Sequence, residues 1–350
     1  SDVYKRQMYK IILLFFTMSL SYGQINPLDI EIVRDSYGVP HVYGKTDADT
    51  AYGLAWVHSE DDFMTIQKAY LAGNQLLSNY LNNDGIIVDF LTQFIESEKT
   101  VDKLFDTLSI DFIQILEAYS QGINRYAKLN PEKVLVKELF PVTPRKMLNY
   151  SFLQLFISNG ADQLVSKIIS NNTVNLSNLG INEDIQGSNT FAFNNNKTKN
   201  GETYLAINTH QPLDGPNSWY EVHLNSEEGT NILGATFAGA PCVLTGVNEH
   251  LAWTHTVNYP DKADLFKLKM NKSRKDIYIV DNKEYKLEKY KAKLKYRILG
   301  INIGVKKTYY KSIFGPTLKN KSGYYSVRTP SLYNIKALEQ WWRMNKATSF

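Results

Sequence analysis

The chain has 350 residues, 43% of them hydrophobic and 21% charged, with a formal net charge of +4. That is ordinary globular composition with enough length for a sizeable core in one or two domains, and the single cysteine, Cys242, excludes an intrachain disulfide and, lying in an apolar stretch, reads as a buried structural thiol. The charge is uneven: residues 262–311 hold 16 Lys or Arg against five Asp or Glu, which leaves the rest mildly acidic. Such a block can bind nucleic acid, but Lys289-Tyr290-Lys291-Ala292-Lys293-Leu294-Lys295-Tyr296 alternates with period two. It reads as a strand with one solvated face, whose lysines discourage edge pairing, so no nucleic-acid partner is expected.

Residues 1–7 precede Met8, have no targeting character and are read as extraneous to the fold. Met8 to Lys10 followed by the apolar run Ile11 to Leu20 and small residues near Gly23 read as a signal peptide over 8–23. The run is shorter than the roughly 20 apolar residues of a membrane span, so export to the periplasm or medium is expected and an uncleaved anchor is the alternative. Ile30–Val33 and His41–Tyr43 predict short strands around the turn residues Asp35 to Gly38. Thr46 with Asp49 three residues on predicts a helix start, and Ala51, Leu54, Ala55 and His58 continue at helical spacing. Leu108, Phe112, Ile115, Leu116, Tyr119, Ile123 and Tyr126 form the stripe of a further amphipathic helix; prolines 131, 141 and 144 interrupt, and Leu148–Ile157 predicts another. A mainly helical segment over 24–165 is therefore followed by a polar, Asn-rich linker over 166–187. After it come β-rich runs at Thr190–Phe193, Thr203–Ile207, Trp219–Leu224, Ile232–Phe237 and Cys242–Gly246, which predict antiparallel sheets in the segment 188–350. Ala337 to Arg343 opens an amphipathic helix.

Alone, Gly187-Ser188-Asn189 is a turn tripeptide, but it stands at the junction between the polar linker and the β-rich segment. With it come Arg34-Asp35-Ser36-Tyr37-Gly38-Val39-Pro40-His41, Ala51-Tyr52-Gly53 leading to Glu60-Asp61, Asn208-Thr209-His210, and Leu251-Ala252-Trp253-Thr254-His255-Thr256-Val257. As a set these stretches resemble the penicillin acylase family of N-terminal-nucleophile hydrolases. The resemblance covers nearly all of 29–350 and is closest in motif to acyl-homoserine-lactone acylases.

The resemblance implies an α+β fold, a four-layer αββα sandwich with a mainly helical α-chain and a β-chain that starts at Ser188 after self-cleavage and stays associated with the α-chain. A serine hydroxyl is a weak nucleophile without a base, and a freed α-amine, with an unperturbed pKa of roughly 7.7–8.0, supplies one. The reaction implied is hydrolysis of a linear N-acyl amide, a small molecule, through an acyl-serine, with no cofactor needed for the chemistry. By resemblance the backbone N–H of Val257 is an oxyanion donor, and His210, where penicillin G acylases carry glutamine, orients the amine and leans the acyl preference towards long aliphatic groups. His41 and His255 lie inside family-like motifs, yet hydrogen-bonded packing roles serve at least as well; His58, beside Glu60 and Asp61, matches no zinc spacing.

The resemblance also implies a structural calcium held by Asp261 and Asp264, although the family's third ligand, a glutamate, falls at Gln163, a poorer donor. Calcium needs about six to eight oxygens. The family's β-chain is longer than 188–350 and contributes a second oxyanion donor, an asparagine, from beyond Phe350, so the sequence reads as a fragment. The competing reading is a secreted binding protein that kept the fold without the chemistry, which would show as loss of Ser188, of Gly187 before it, or of the Val257 segment.

Overall fold

The computed structural model describes residues 23–170, 187–257 and 262–350; the expected signal peptide and most of the expected linker lie outside these residues. The first segment holds β1 (Glu31–Arg34) and β2 (Pro40–Gly44), then α1 (Asp47–Gly73), α2 (Leu77–Leu81), α3 (Ile86–Phe94), α4 (Ser97–Leu104), α5 (Ile110–Leu129), α6 (Pro144–Ser158) and α7 (Ala161–Ile169). The second runs through β3 (Ser188–Phe193), β4 (Tyr204–Thr209), β5 (Tyr220–Ser226), β6 (Asn231–Thr236), β7 (Thr245–Asn248) and β8 (Ala252–Trp253). The third adds β9 (Asp264–Lys267), β10 (Lys269–Met270), β11 (Ile277–Val280), β12 (Lys283–Lys286), β13 (Glu288–Ile298), β14 (Ile301–Ser312), β15 (Gly315–Asn320), β16 (Gly323–Arg328) and α8 (Ala337–Asn345). Helix and sheet are thus mixed, as the α+β expectation requires. No described helix is long and apolar enough to cross a membrane.

Helix α1 starts where the sequence says: the Thr46 side chain accepts from the Asp49 N–H, and the Asp49 carboxylate accepts from the Thr46 N–H at 2.9 Å. It kinks at Asp62, whose φ of −147° and ψ of 60° are not helical, and the Asp62 carboxylate then accepts from the Thr65 N–H at 3.1 Å, capping the second half. At the kink Arg34 grips the neighbouring Asp61 with two bonds, 2.9 and 3.1 Å, and Tyr220 donates to the same carboxylate. All seven residues of the predicted stripe Leu108 to Tyr126 are buried. Helix α5 crosses α1 closely: a Cβ on Gly122 would stand 2.6 Å from the Tyr52 carbonyl oxygen and 2.8 Å from the Ala55 Cβ.

The strands form sheets ordered β1-β2-β5-β6-β7-β8, β13-β14-β15-β16-β9, β10-β11-β12 and β3-β4 among the described residues. Pairing is antiparallel as expected with one exception: β2 lies parallel to β5, His41 opposite His223. A parallel neighbour needs a long crossover, and here that crossover is the whole helical segment together with the first strands after it. Strands β1 and β2 are thereby joined to a sheet whose other strands all follow position 187, and α1 packs on both β2 and β5 within the large core.

Two sequence expectations meet a different outcome. Ser166 to Ile169, assigned to the linker, form the last turn of α7; Val165 and Ile168 are buried at helical spacing, and the Asn320 side chain donates to the Ile168 carbonyl. The run Cys242–Gly246 becomes strand only from Thr245. Before that, Asn345 takes the part of a strand neighbour, accepting from the Val243 N–H at 3.0 Å and donating to its carbonyl at 2.8 Å. Cys242 is a buried free thiol, the structural role read for it, and burial pushes its pKa up.

Gly122→Ala should lower stability by about 1–3 kcal/mol, because backbone rather than a yielding side chain occupies the space; chemical denaturation showing no loss would contradict the crossing. His58, buried and stacked 4.0 Å from the Tyr220 ring, has its pKa pushed down from the ordinary imidazole value to about 4 by burial, with Asp62 and Asp61 opposing the shift. The unfolded chain therefore binds the extra proton first, so this contribution is complete above pH 6.5 and is lost as pH falls towards 4, on the order of 3 kcal/mol. His58→Phe should flatten that part of the stability profile; parallel wild-type and variant profiles between those values would show that His58 does not titrate on unfolding.

Candidate active site

Ser188 is the first residue of β3, in register opposite Thr209 of β4. Its predecessor Gly187 has φ +152°, a region that suits glycine, and a Cβ there would approach the His210 Nδ1 to 3.2 Å. The register explains the meeting: with Ser188 paired to Thr209, the next residue, His210, falls beside Gly187. Asn189 donates its side-chain amide to His210 Nε2 at 3.1 Å, which makes Nε2 the acceptor and leaves the ring proton on Nδ1, the atom facing Gly187. The Ser188 hydroxyl donates to the Gly187 carbonyl, so the hydroxyl, the peptide bond between 187 and 188 and the imidazole occupy one corner.

That corner opens on a cavity of about 280 Å³ to which Ser188, Trp219, Phe237, Tyr150, Leu155 and Val257 contribute. The Trp219 and Phe237 rings stack at 4.0 Å, while Tyr150 and Leu155 come from α6. The wall is thus made by residues on both sides of the expected linker. Loop 237–240 is set by Tyr70 of α1, which donates its hydroxyl to the Gly239 carbonyl at 2.7 Å; Gly239 has φ +81°, and a Cβ on it would lie 2.9 Å from the Tyr70 ring. His255 also lines the cavity and accepts from Trp341 Nε1 at 2.8 Å through Nε2. The Leu244 carbonyl lies 3.2 Å from the same nitrogen, but an atom accepting from Trp341 has no proton to give, and the shorter contact sets the tautomer. Burial lowers the His255 pKa, which keeps the ring neutral and able to accept.

Of the predicted site residues, Ser188, His210 and Val257 come together in this region: Ser188 and Val257 border the cavity and His210 rests against Gly187. Asp264 does not join them among the described residues. It is exposed at the start of β9, opposite Arg328; Gln163 is exposed on α7, and Asp261 lies outside the described residues. With Asp261 outside the described residues, the calcium expectation rests on two exposed side chains, Asp264 and Gln163, where calcium takes about six to eight oxygens. His41 sits in the large sheet, its Nδ1 3.0 Å from His223 Nδ1, and is not among the cavity residues.

Sequence reading missed Asn189 as the group that fixes the His210 tautomer, and it missed Trp219, Phe237 and Tyr150 as cavity wall. Asn189 was within reach, because an amide beside a nucleophile candidate is a natural partner for a histidine. The wall was not, since aromatic residues in strands and helices carry the same pattern whether they face a core or a cavity.

The family model for penicillin amidase matches residues 29–350. The chain is 24% identical to the acyl-homoserine lactone acylase PvdQ of Pseudomonas fluorescens (strain Pf0-1) over 95% of this chain and 48% of that protein. It is 23% identical to PvdQ of Pseudomonas syringae pv. syringae (strain B728a) over 91% and 46%, and 22% identical to the acylase QuiP of Pseudomonas fluorescens (strain ATCC BAA-477) over 91% and 45%. The chain therefore spans about half the length of these curated relatives. Among solved structures, the thermostable penicillin G acylase from Alcaligenes faecalis overlaps 38% of this chain and 24% of its own, at 26% identity and a TM-score of 0.33, an overlap on which nothing further rests. With a family match that takes in the serine-led strand, the histidine beside it and the cavity they border, this chain belongs to the penicillin amidase family.

Proposed function

We propose that this chain is part of a secreted, self-processing N-acylase whose nucleophile is Ser188. The observation that carries the reading is the Ser188 hydroxyl held at the Gly187 carbonyl on the rim of an apolar cavity. In the precursor the Ser188 oxygen adds to the Gly187 carbonyl carbon, the peptide bond between them breaks with its nitrogen taking a proton, and water cleaves the resulting ester. The products are a carboxyl on Gly187 and a free α-amine on Ser188. That amine then accepts the hydroxyl proton as the oxygen attacks a substrate amide carbon, passes the proton to the leaving amine, and assists water in hydrolysing the acyl-serine. His210, packed against Gly187, is left beside the new amine and orients it; the backbone N–H of Val257 stabilises the oxyanion.

The cavity supports an acyl group as the part of the substrate it receives, because its aromatic and aliphatic wall gains from burying hydrocarbon. Relatives named as acyl-homoserine lactone acylases support an N-acyl amide as the substrate class, and His210 carries the lean towards a long aliphatic acyl chain. We assign the four-layer αββα arrangement to the whole protein. Phe191, Phe193, Tyr204 and Ile207 of the β3–β4 ladder are exposed, as expected if further strands of a longer protein cover them.

Mass measurement of expressed protein tests the proposal: wild type should appear as two chains, the second starting at Ser188, and Ser188→Ala as one. A Ser188→Ala protein that still yields the second chain would exclude self-cleavage by this serine. His210→Ala should lower turnover on the order of a hundredfold through a misplaced amine, at unchanged thermal stability, with His210→Gln retaining more activity than alanine. A drop in melting temperature that accounts for the lost activity would make His210 a packing residue instead.

A further inference from the structure

The hairpin of β13 and β14 turns through Leu299 and Gly300, both with positive φ, 49° and 82°. Its register sets Ile298 opposite Ile301, Tyr296 opposite Ile303 and Leu294 opposite Val305, so these six side chains share one face. At the base that face belongs to the core: Ala292 and Leu294 are buried, and Tyr309 meets Phe94 of α3 edge-on at 5.9 Å. The edge of β13 is held by side-chain amides in place of a neighbouring strand. Gln93 exchanges bonds of 2.9 and 2.8 Å with the Lys293 backbone, and Asn83 bonds of 3.0 and 2.9 Å with that of Arg297.

Past Arg297 the apolar face continues where burial stops. Ile298, Ile301, Ile303 and Val305 are exposed, Ile301 to 67%, and Leu299 at the turn to 98%. The other face of β13 carries Lys289, Lys291, Lys293, Lys295 and Arg297, all exposed, with Lys306 across from Lys293. None of these six forms an ion pair among the described residues. An aliphatic tip alone would suit many occupants; the row of cations beside it, of which Lys295 also acts on the Asp89 carboxylate without forming an ion pair, selects a surface that is apolar at depth and anionic at its rim.

We propose that this hairpin is a docking element for a bilayer containing anionic phospholipid. Ile298, Leu299 and Ile301 enter the boundary between headgroups and acyl chains, and the lysines and Arg297 lie among the phosphates. The acidic balance of the chain outside 262–311 disfavours the opposite orientation on the same surface.

Vesicle co-sedimentation of the full chain tests this. Binding is expected with phosphatidylglycerol mixed into phosphatidylcholine, not with phosphatidylcholine alone, and it should be lost in high salt. The doubles Leu299→Ser with Ile301→Ser, and Lys293→Glu with Lys295→Glu, should each lower the partition coefficient about tenfold or more, with wild-type melting temperatures showing that both fold. Leu299→Trp should shift its emission to the blue on adding anionic vesicles. A shift already present without vesicles would mean that a second copy or another part of a longer chain covers the tip, and would overturn the proposal, as would wild-type binding by both doubles or no binding to anionic vesicles at low salt.

Discussion

The hydrogen bond from Tyr70 to the Gly239 carbonyl is the constraint on which the site depends. It is buried and joins a helix from the first half of the chain to the loop that forms the cavity wall. A buried carbonyl without a partner is costly, so the loop is held where the phenol can reach it, and the positive φ of Gly239 allows the backbone to come that close. Trp219 then stacks on Phe237 at the start of the same loop, and α6 closes the opposite wall with Tyr150, whose ring meets Tyr70 edge-on at 6.1 Å. The cavity is therefore a product of helix packing as much as of strand order.

The same dependence recurs at the ends of the structure. Asp47, at the first turn of α1, is buried and accepts from Ser226 at 2.6 Å, Thr230 at 2.7 Å and the Lys346 ammonium at 2.7 Å. A buried carboxylate is tolerated when its lone pairs are filled in this way. One side chain near the start of the helical segment thus fixes β5, the turn after it and the residue that follows α8.

Much of this was legible in residues that interact locally. The capping pair Thr46 and Asp49, the stripe that runs from Leu108 through α5, the alternating lysines of β13 and the buried Cys242 all obey rules that act over a few positions, and those readings hold in the structure. The apposition of Ser188 and His210 was available only through family resemblance, because it follows from a strand register, Ser188 opposite Thr209, that no local pattern specifies. The parallel pairing of β2 with β5 was out of reach for the same reason: it is settled by where α1 packs, across more than 170 residues of chain. Asn345 standing in for a strand beside Val243 could not be read either, since an asparagine in a helix carries no sign of the backbone it will meet.

The insertion of β2 beside β5 bears on what happens to a chain cut between the two segments. A strand hydrogen-bonded within a sheet of the other piece, with Lys346 closing on Asp47 from the far end, leaves the pieces interlocked without a covalent link. Intact, the chain folds in a unimolecular reaction at a rate independent of concentration. Once cut, the same native contacts form only after two molecules meet, so refolding becomes second order and dilution alone shifts the balance towards separate, unfolded pieces. A cut protein of this architecture can be durable through slow unfolding and yet recover poorly once it has come apart.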